Sequence, residues 1–374
     1  MRVRFGNLAE AERRALAAIE RRARTVFSDA AIRLDEARFA RAVAALHPEL
    51  MGERTHDGCL VVRPRRRALA PLAERIAALA PDGVTIVSSR PPEPVSDAVL
   101  RVRALAGVDF ASARVRVGFT RGHLLDVIVL LPGGSGSDAE HEAATELVWL
   151  IAGESFAETW IGSVSVAPAP RGSLPVVGDA SARGFPLAEL ESLLVAATEG
   201  LELPAEPLHA AGDGTWTLFE LDPEPAEDFP LEEDLAIAST RAPELLKCYL
   251  EGAPFSSLRF SRHGELFFHL KYESAGDPQA QLDARSKLED AIDRRLVSAR
   301  AGRVVGGGLG LRYSYVHLAL SNVPRGLELV RAIGQEQRLS YRSWLEPFDT
   351  DLAAQWIEIW PHSLPPPGHD TPGR

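Results

Sequence analysis

Cysteine is nearly absent from this chain: Cys59 and Cys248 are the only two in 374 residues, and neither has a Cys-x-x-Cys neighbour. That scarcity excludes a disulfide framework and suits a reducing compartment. Lysine is almost as rare, with Lys247, Lys271 and Lys287 alone among 41 basic residues and arginine supplying the rest. No window approaches the ~20 consecutive apolar residues of a membrane-spanning helix. The segment Met1 to Arg24 carries Arg13, Arg14, Arg21, Arg22 and Arg24 where a secretion signal would be apolar. The expectation is a cytoplasmic protein with no membrane partner. A net charge of −11 argues against DNA or RNA, whose phosphates demand a basic footprint.

What is present is ordinary globular material, 45% hydrophobic and 25% charged. The length exceeds the ~250–300 residues at which a single core stops growing, so two domains are expected. Charge is uneven. Residues 1–130 hold 22 basic against 15 acidic groups, and the remainder 19 against 37. Such asymmetry can steer partners; solvated surface drift is the bland alternative.

Periodicity predicts helices over 8–25 and 35–48, an N-terminal helical hairpin within residues 1–50. Residues 51–170 follow as a first α/β domain. Its strands are Cys59–Arg63, Val84–Ser88, Ala113–Thr120, His123–Leu131 and Trp160–Ala167. Helices are expected from about Arg66 to Leu79 and from Asp138, a candidate cap, to Ile151. Residues 171–254 read as an acidic connector with a helix over Phe185–Leu201, a strand over Thr215–Leu221 and a helix near Pro243–Glu251. Between Glu202 and Asp234 it holds eleven acidic residues and no Lys or Arg, a composition that repels itself and extends. Residues 255–350 repeat the order β-α-β-β-α-β, with strands Glu265–Tyr272, Arg303–Gly306, Leu311–Leu320 and Ser340–Glu346. Helices lie between them at Pro278–Ser298 and Pro324–Gln335. Residues 351–374 are a C-terminal segment ending in a disordered tail from Pro361. The fold class is therefore α+β: two ferredoxin-like (βαββαβ) units with antiparallel sheets, preceded by a helical hairpin.

Familiar catalytic spacings fail one by one. Gly306-Gly307-Gly308-Leu309-Gly310 is followed by a strand-like segment and has no Gly-Lys-Ser/Thr, so it reads as a glycine-rich turn or bulge rather than a phosphate loop. His141-Glu142 lacks the second histidine of a helical zinc site, because position 145 is Thr145. Ser135 and Ser137 sit among glycines without a nucleophile elbow. Arg63-Pro64-Arg65-Arg66-Arg67 could clamp an anion but reads more simply as a solvated surface. No cofactor and no metal is expected.

One constellation stands out. Strand alternation sends Leu266, Phe268, Leu270 and Tyr272 to one face and Phe267, His269 and Lys271 to the other. In the next long strand Val316, Leu318 and Leu320 oppose Tyr313, Tyr315 and His317. If these strands are central neighbours, Phe267, His269, Lys271, Tyr313, Tyr315 and His317 form one patch on the helix-free face, and exposed patches of that kind mean contact. The first-ranked occupant is protein: the first domain, the connector or a second subunit. A small molecule or peptide ranks next, and single-stranded nucleic acid last, because the charge is wrong. His269 and His317 alone make a thin metal pair.

At Gly307-Gly308-Leu309-Gly310-Leu311-Arg312-Tyr313-Ser314-Tyr315-Val316-His317-Leu318-Ala319-Leu320 the chain resembles a group of uncharacterised bacterial proteins similar in fold to the regulator-of-ribonuclease-E-B-like domains. The stretch from Ala80-Pro81 to Arg90-Pro91-Pro92 also looks like an N-terminal domain of uncharacterised bacterial proteins. The resemblance implies a ferredoxin-like fold and no activity. The functional expectation is a non-enzymatic binding or protein-interaction protein using that helix-free face. Its alternatives are an enzyme with a site between the two domains and an acidic, immunity-like inhibitor of a basic protein.

Overall fold

The computed structural model describes residues 8–55, 58–64, 70–169, 184–201, 203–212, 214–229, 233–274, 276–353 and 355–369. It is a mixed α/β protein with three sheets, mostly antiparallel. The chain divides into two compact units, one of residues 4–120 and 124–201, the other from 202 onward with 121–123.

In the first unit three helices, Leu8–Ser28, Ala30–Leu34 and Glu36–Leu46, precede the first strand. Asp29 and Asp35 begin the second and third by accepting hydrogen bonds from Ala31 and Arg38 amides. Phe27, Phe39, Val43 and Leu46 pack with Leu50, Leu60 and Val62 from a three-stranded sheet, β1(Leu50–Arg54), β2(Leu60–Pro64) and β3(Ile86–Val87). A second sheet is built from β4(Arg114–Phe119), β5(Leu125–Leu131), β6(Ile161–Pro168) and β7(Phe185–Pro186), in the order β6-β5-β4-β7. The helix Asp138–Ala152 packs on it through Leu147, Val148 and Ile151. That helix starts at a capping box in which Ser137, not Asp138, is the cap and Glu140 reaches back.

The strands expected to share one ferredoxin-like sheet over 51–170 are thus split between two sheets. The reason lies in the crossovers. β2 pairs directly with β3 in parallel, and β5 with β6 in parallel. Each βαβ closes on its own neighbour and leaves no slot for a strand between, which the split arrangement requires. Residues 95–111, ambiguous in sequence, contain the helix Val95–Ala106.

The second unit is built on one seven-stranded sheet. Its members are β8(Thr217–Glu220), β9(Leu235–Thr240), β10(Leu266–Glu273), β11(Gly302–Gly310), β12(Tyr313–Leu320), β13(Ser343–Pro347) and β14(Ile357–Glu358). They lie in the order β14-β13-β10-β12-β11-β9-β8, and every pairing is antiparallel. The helices Pro278–Ser298 and Val323–Glu336 lie on one face. Leu288, Ile292 and Leu296 from the first, with Leu327, Val330 and Ile333 from the second, cover Phe268, Leu270, Val316, Leu318 and Leu320.

The connector does not stand apart: β8, β9 and the helix Pro243–Leu250 belong to this unit, and two connector strands widen the sheet. The stretch expected as the helix Phe185–Leu201 opens with the short β7, passes through a 3-10 turn at Leu187–Glu189 and is α-helical over Leu190–Glu199. The glycine run is strand rather than turn. β11 continues through Gly310, with a register shift between Val304 and Gly306. Gly307 has no room for a side chain, since a Cβ there would collide with the Glu289 carboxylate and lie 2.6 Å from the Tyr315 carbonyl. The C-terminal segment, expected as a disordered tail, has a definite course as far as His369: Ser363 is buried, its hydroxyl donates to Tyr341 O at 2.9 Å, and Leu364 O accepts from Trp344 Nε1 at 2.7 Å. Arg65, Arg66 and Arg67 of the basic run and residues 370–374 lie outside the described residues. No described helix is long and apolar enough to cross a membrane.

Candidate functional site

Strand alternation brings the six singled-out residues together. In the β10·β12 ladder His269 faces His317 and Lys271 faces Tyr315, while Phe267 and Tyr313 occupy the same face towards the two ends. β13 adds Trp344 beside Lys271 and Glu346 beside His269. On the other flank β11 places Gly306 opposite His317. A Cβ there would approach the imidazole Nδ1 to 3.0 Å and Ser239 O to 2.7 Å, so the glycine makes room for the ring. This face is the one the two long helices leave bare.

It is nonetheless not a surface. Phe267 is 1% exposed, and His269, Lys271, Tyr313, Tyr315 and His317 are 0% exposed. The expectation of an exposed patch is corrected here, and its cover comes from the same unit. The helix Pro243–Leu250 contributes Leu245, Leu246 and Cys248; Phe255, Phe260 and Phe348 close one end, and Phe229 and Leu235 from the connector close the other.

The patch has two halves. In the first, polar groups of the connector meet the strands. Asp234, fully buried, accepts from the backbone amides of Arg312 at 3.0 Å and Tyr313 at 2.9 Å through one oxygen, and from the Tyr315 hydroxyl through the other. Lys271 Nζ donates to Phe229 O at 2.6 Å and lies 4.5 Å from the Tyr313 ring centroid, a cation over an aromatic face. Tyr313 donates its hydroxyl to Asp228 at 2.8 Å, and Arg342 bonds both. Burial, reinforced by the nearby Asp228 charge and opposed by Arg342, pushes the Tyr313 phenol up to about 12. Burial also pushes the Asp228 carboxyl upward, but hydrogen bonds from Tyr313, the Phe229 amide and Arg342 outweigh it and hold that carboxyl below the usual range.

In the second half His269 Nε2 lies 2.8 Å from Glu346 Oε2, and His369 of the C-terminal segment lies 3.9 Å from the other oxygen of that carboxylate. Phe348 meets both strand imidazoles edge-on, with centroids 5.2 Å from His269 and 5.4 Å from His317. Chemically this is a carboxylate-oriented imidazole, closed over by aromatic rings. Among the described residues no three His, Cys, Asp or Glu side chains are grouped to hold a metal ion.

Asp228, Asp234, Arg342 and Glu346 were missed in the sequence. For the last two a signal existed: Arg342, just before β13, alternates with Trp344 and Glu346, which face Lys271 and His269 in register. For the two aspartates there was none, since their partners lie 78–114 residues away. Of the other sequence candidates, Ser137 caps the helix with Glu140 reaching back to it, His141 accepts at its backbone carbonyl from Thr145, and Arg63 pairs with Glu53 and Glu154. No family model matches the chain, and no curated protein or solved structure matches it.

Proposed function

We propose that the chain is a non-enzymatic, protein-binding protein in which the helix-free sheet face works inward: it seats the acidic connector and so presents that connector's outer side to a partner. The observation that carries this reading is the position of Asp234. Three donors from the aromatic strand converge on a connector carboxylate with no exposure to solvent. The connector side chains of Glu220, Asp222, Glu224 and Glu227 are exposed. The stretch that carries them has no Lys or Arg of its own, which favours a basic partner and gives the immunity-like inhibitor reading its support. As to fold, the strand order β13-β10-β12-β11, with both crossover helices on one face, supports a ferredoxin-like unit over residues 266–347, the kind of fold implied by the regulator-of-ribonuclease-E-B-like resemblance.

The test is capture of a partner from the native host at low and high salt. The unmodified chain is compared with one carrying Glu220→Gln, Asp222→Asn, Glu224→Gln and Glu227→Gln together. A basic protein retained at low salt, released at high salt and lost with the fourfold variant is the expected result. Equal capture by both chains, or no basic protein at all, removes the reading.

A further inference from the structure

The four-stranded sheet of the first unit also has two faces. Val115, Val127 and Val164 turn toward the helix Asp138–Ala152 and are buried there. The alternate residues Arg116, Asp126 and Ile128 turn away and are only half-buried. Together with Val117, Gly118, Phe119 and Phe185 they line a cavity of about 320 Å³. That volume lies within the ~300–1,000 Å³ of small-ligand sites.

Two opposite charges meet this cavity without meeting each other. Arg116 Nε is buried and has no hydrogen-bond partner, and among the described residues its guanidinium forms no ion pair. Asp126 accepts a hydrogen bond from the Ser163 hydroxyl. In the β4·β5 ladder Arg116 stands opposite Ile128 and Gly118 opposite Asp126. Arg116 and Asp126 are therefore diagonal neighbours on one face, with Cα atoms ~7–8 Å apart, and Gly118 leaves the space beside them open. A half-buried cation without a counter-charge costs desolvation energy that an incoming carboxylate would recover. Phe119 and Phe185, 45% and 41% exposed, supply apolar wall.

We propose that this cavity binds an apolar α-amino acid. Its carboxylate takes the Arg116 guanidinium in a two-bond fork, its ammonium takes the Asp126 carboxylate, and its side chain lies against Ile128, Phe119 and Phe185. An α-amino acid carries both charges on adjacent groups and an apolar side chain beside them, which matches the diagonal spacing and the wall together. The site is built from residues of the first unit and does not depend on the reading of Asp234 and the acidic stretch that follows residue 202.

Calorimetric titration of the full chain tests it with L-leucine and L-phenylalanine. The controls are 4-methylpentanoate, which lacks the ammonium, and 3-methylbutylamine, which lacks the carboxylate. Saturable binding of an amino acid to one site is expected, with each control at least tenfold weaker. Arg116→Met should abolish binding without lowering the melting temperature, since the charge it removes has no ion-pair partner among the described residues, and Asp126→Asn should weaken binding at least tenfold. No binding of either amino acid at millimolar concentration, equal binding of either control, or full binding by Arg116→Met would overturn the proposal. The control ligands act on the unmodified protein, so the comparison among ligands decides the matter even if a variant fails to fold.

Discussion

The two faces of the seven-stranded sheet are buried equally well by opposite means. Under the helices Pro278–Ser298 and Val323–Glu336 the contacts are aliphatic and without direction: Leu270, Val316, Leu318 and Leu320 against Leu288, Ile292 and Val330. Under the connector they are directional, since Asp234, Lys271, Tyr313 and Tyr315 each satisfy a named partner. An apolar contact loses energy in proportion to the volume removed, whereas a buried acceptor that disappears strands every donor aimed at it. The largest effect is accordingly expected at Asp234. Asp234→Ala removes the acceptor of the Arg312 and Tyr313 amides and should cost about 4 kcal/mol, at ~1–3 kcal/mol for each orphaned amide. Asp234→Asn keeps one acceptor oxygen and should recover part of that loss. Urea denaturation followed by far-ultraviolet dichroism measures both, and equal stability of Asp234→Ala and the parent would erase the contrast between the faces.

On the aliphatic face Leu318→Ala should cost about 3 kcal/mol, within the ~2–5 kcal/mol of such truncations, and Leu318→Met less than about 1.5 kcal/mol. The sharper form of the comparison is the ratio within each pair. Near-isosteric replacement should be forgiven at Leu318 and punished at Asp234, because the first site needs volume and the second needs an acceptor.

The aliphatic face was also the legible one. Alternation along Leu266–Tyr272 and Tyr313–Leu320 assigns each side chain to its face, and the helix stripes match it, so register and layer follow from local spacing alone. The connector-covered face was half legible. Its residues fall together as the alternation implies, but their cover could not be read. Asp228 and Asp234 sat in a run whose composition argues for extension and self-repulsion, and nothing local reveals that Arg342 and the Tyr313 amide, 114 and 79 residues further on, take them up. The same limit hid β9. Leu235–Thr240 follows an acidic, proline-rich stretch and gains strand structure by pairing with the glycines of β11 on one side and with β8 on the other. In the first unit the elements were largely visible, but the choice of neighbour was not, since parallel closure of β2 on β3 depends on a crossover rather than on any residue pattern.

The aliphatic face also holds polar groups, and Glu289 is the one with the largest consequence for pH. Glu289, on the helix Pro278–Ser298, sets its carboxylate over Gly307 with Arg285 3.2 Å away. Burial pushes its pKa up to about 7, Arg285 pulling it down and Asp290 pushing it further. A carboxyl whose folded pKa is raised binds its proton more tightly in the folded state. Its contribution to stability is therefore fully present below the ordinary value of 4.5 and is lost as pH rises to about 7. Stability of the second unit should fall by roughly 2–3 kcal/mol across that window, at ~1.4 kcal/mol per pKa unit. Glu289→Gln should flatten the fall. Urea midpoints taken from pH 4.5 to pH 7.5 on both chains give the slopes, and identical slopes would mean that the carboxylate meets water rather than the sheet.

The smallest effect belongs at the rim of the polar face, where solvent already does part of the work. The Tyr313 ring is buried, but its hydroxyl reaches Asp228, whose side chain is 35% exposed, and Arg342, which is 28% exposed. Tyr313→Phe keeps the ring under Lys271 and removes only the hydroxyl. Water can then replace the lost donor, so the cost should be about 1 kcal/mol or less at neutral pH. The Asp228 carboxyl is held below its ordinary value partly by that hydroxyl. Its contribution is present above the unfolded pKa of 3.8 and disappears as pH falls through the folded one. The gap between the parent and Tyr313→Phe should therefore close as the pH is taken below 3.8, the reverse of the Glu289 trend. Melting temperatures of the two chains between pH 3 and pH 7 measure that gap. A constant offset would show that the hydroxyl acts through packing alone and that the polar face is directional only at its buried centre.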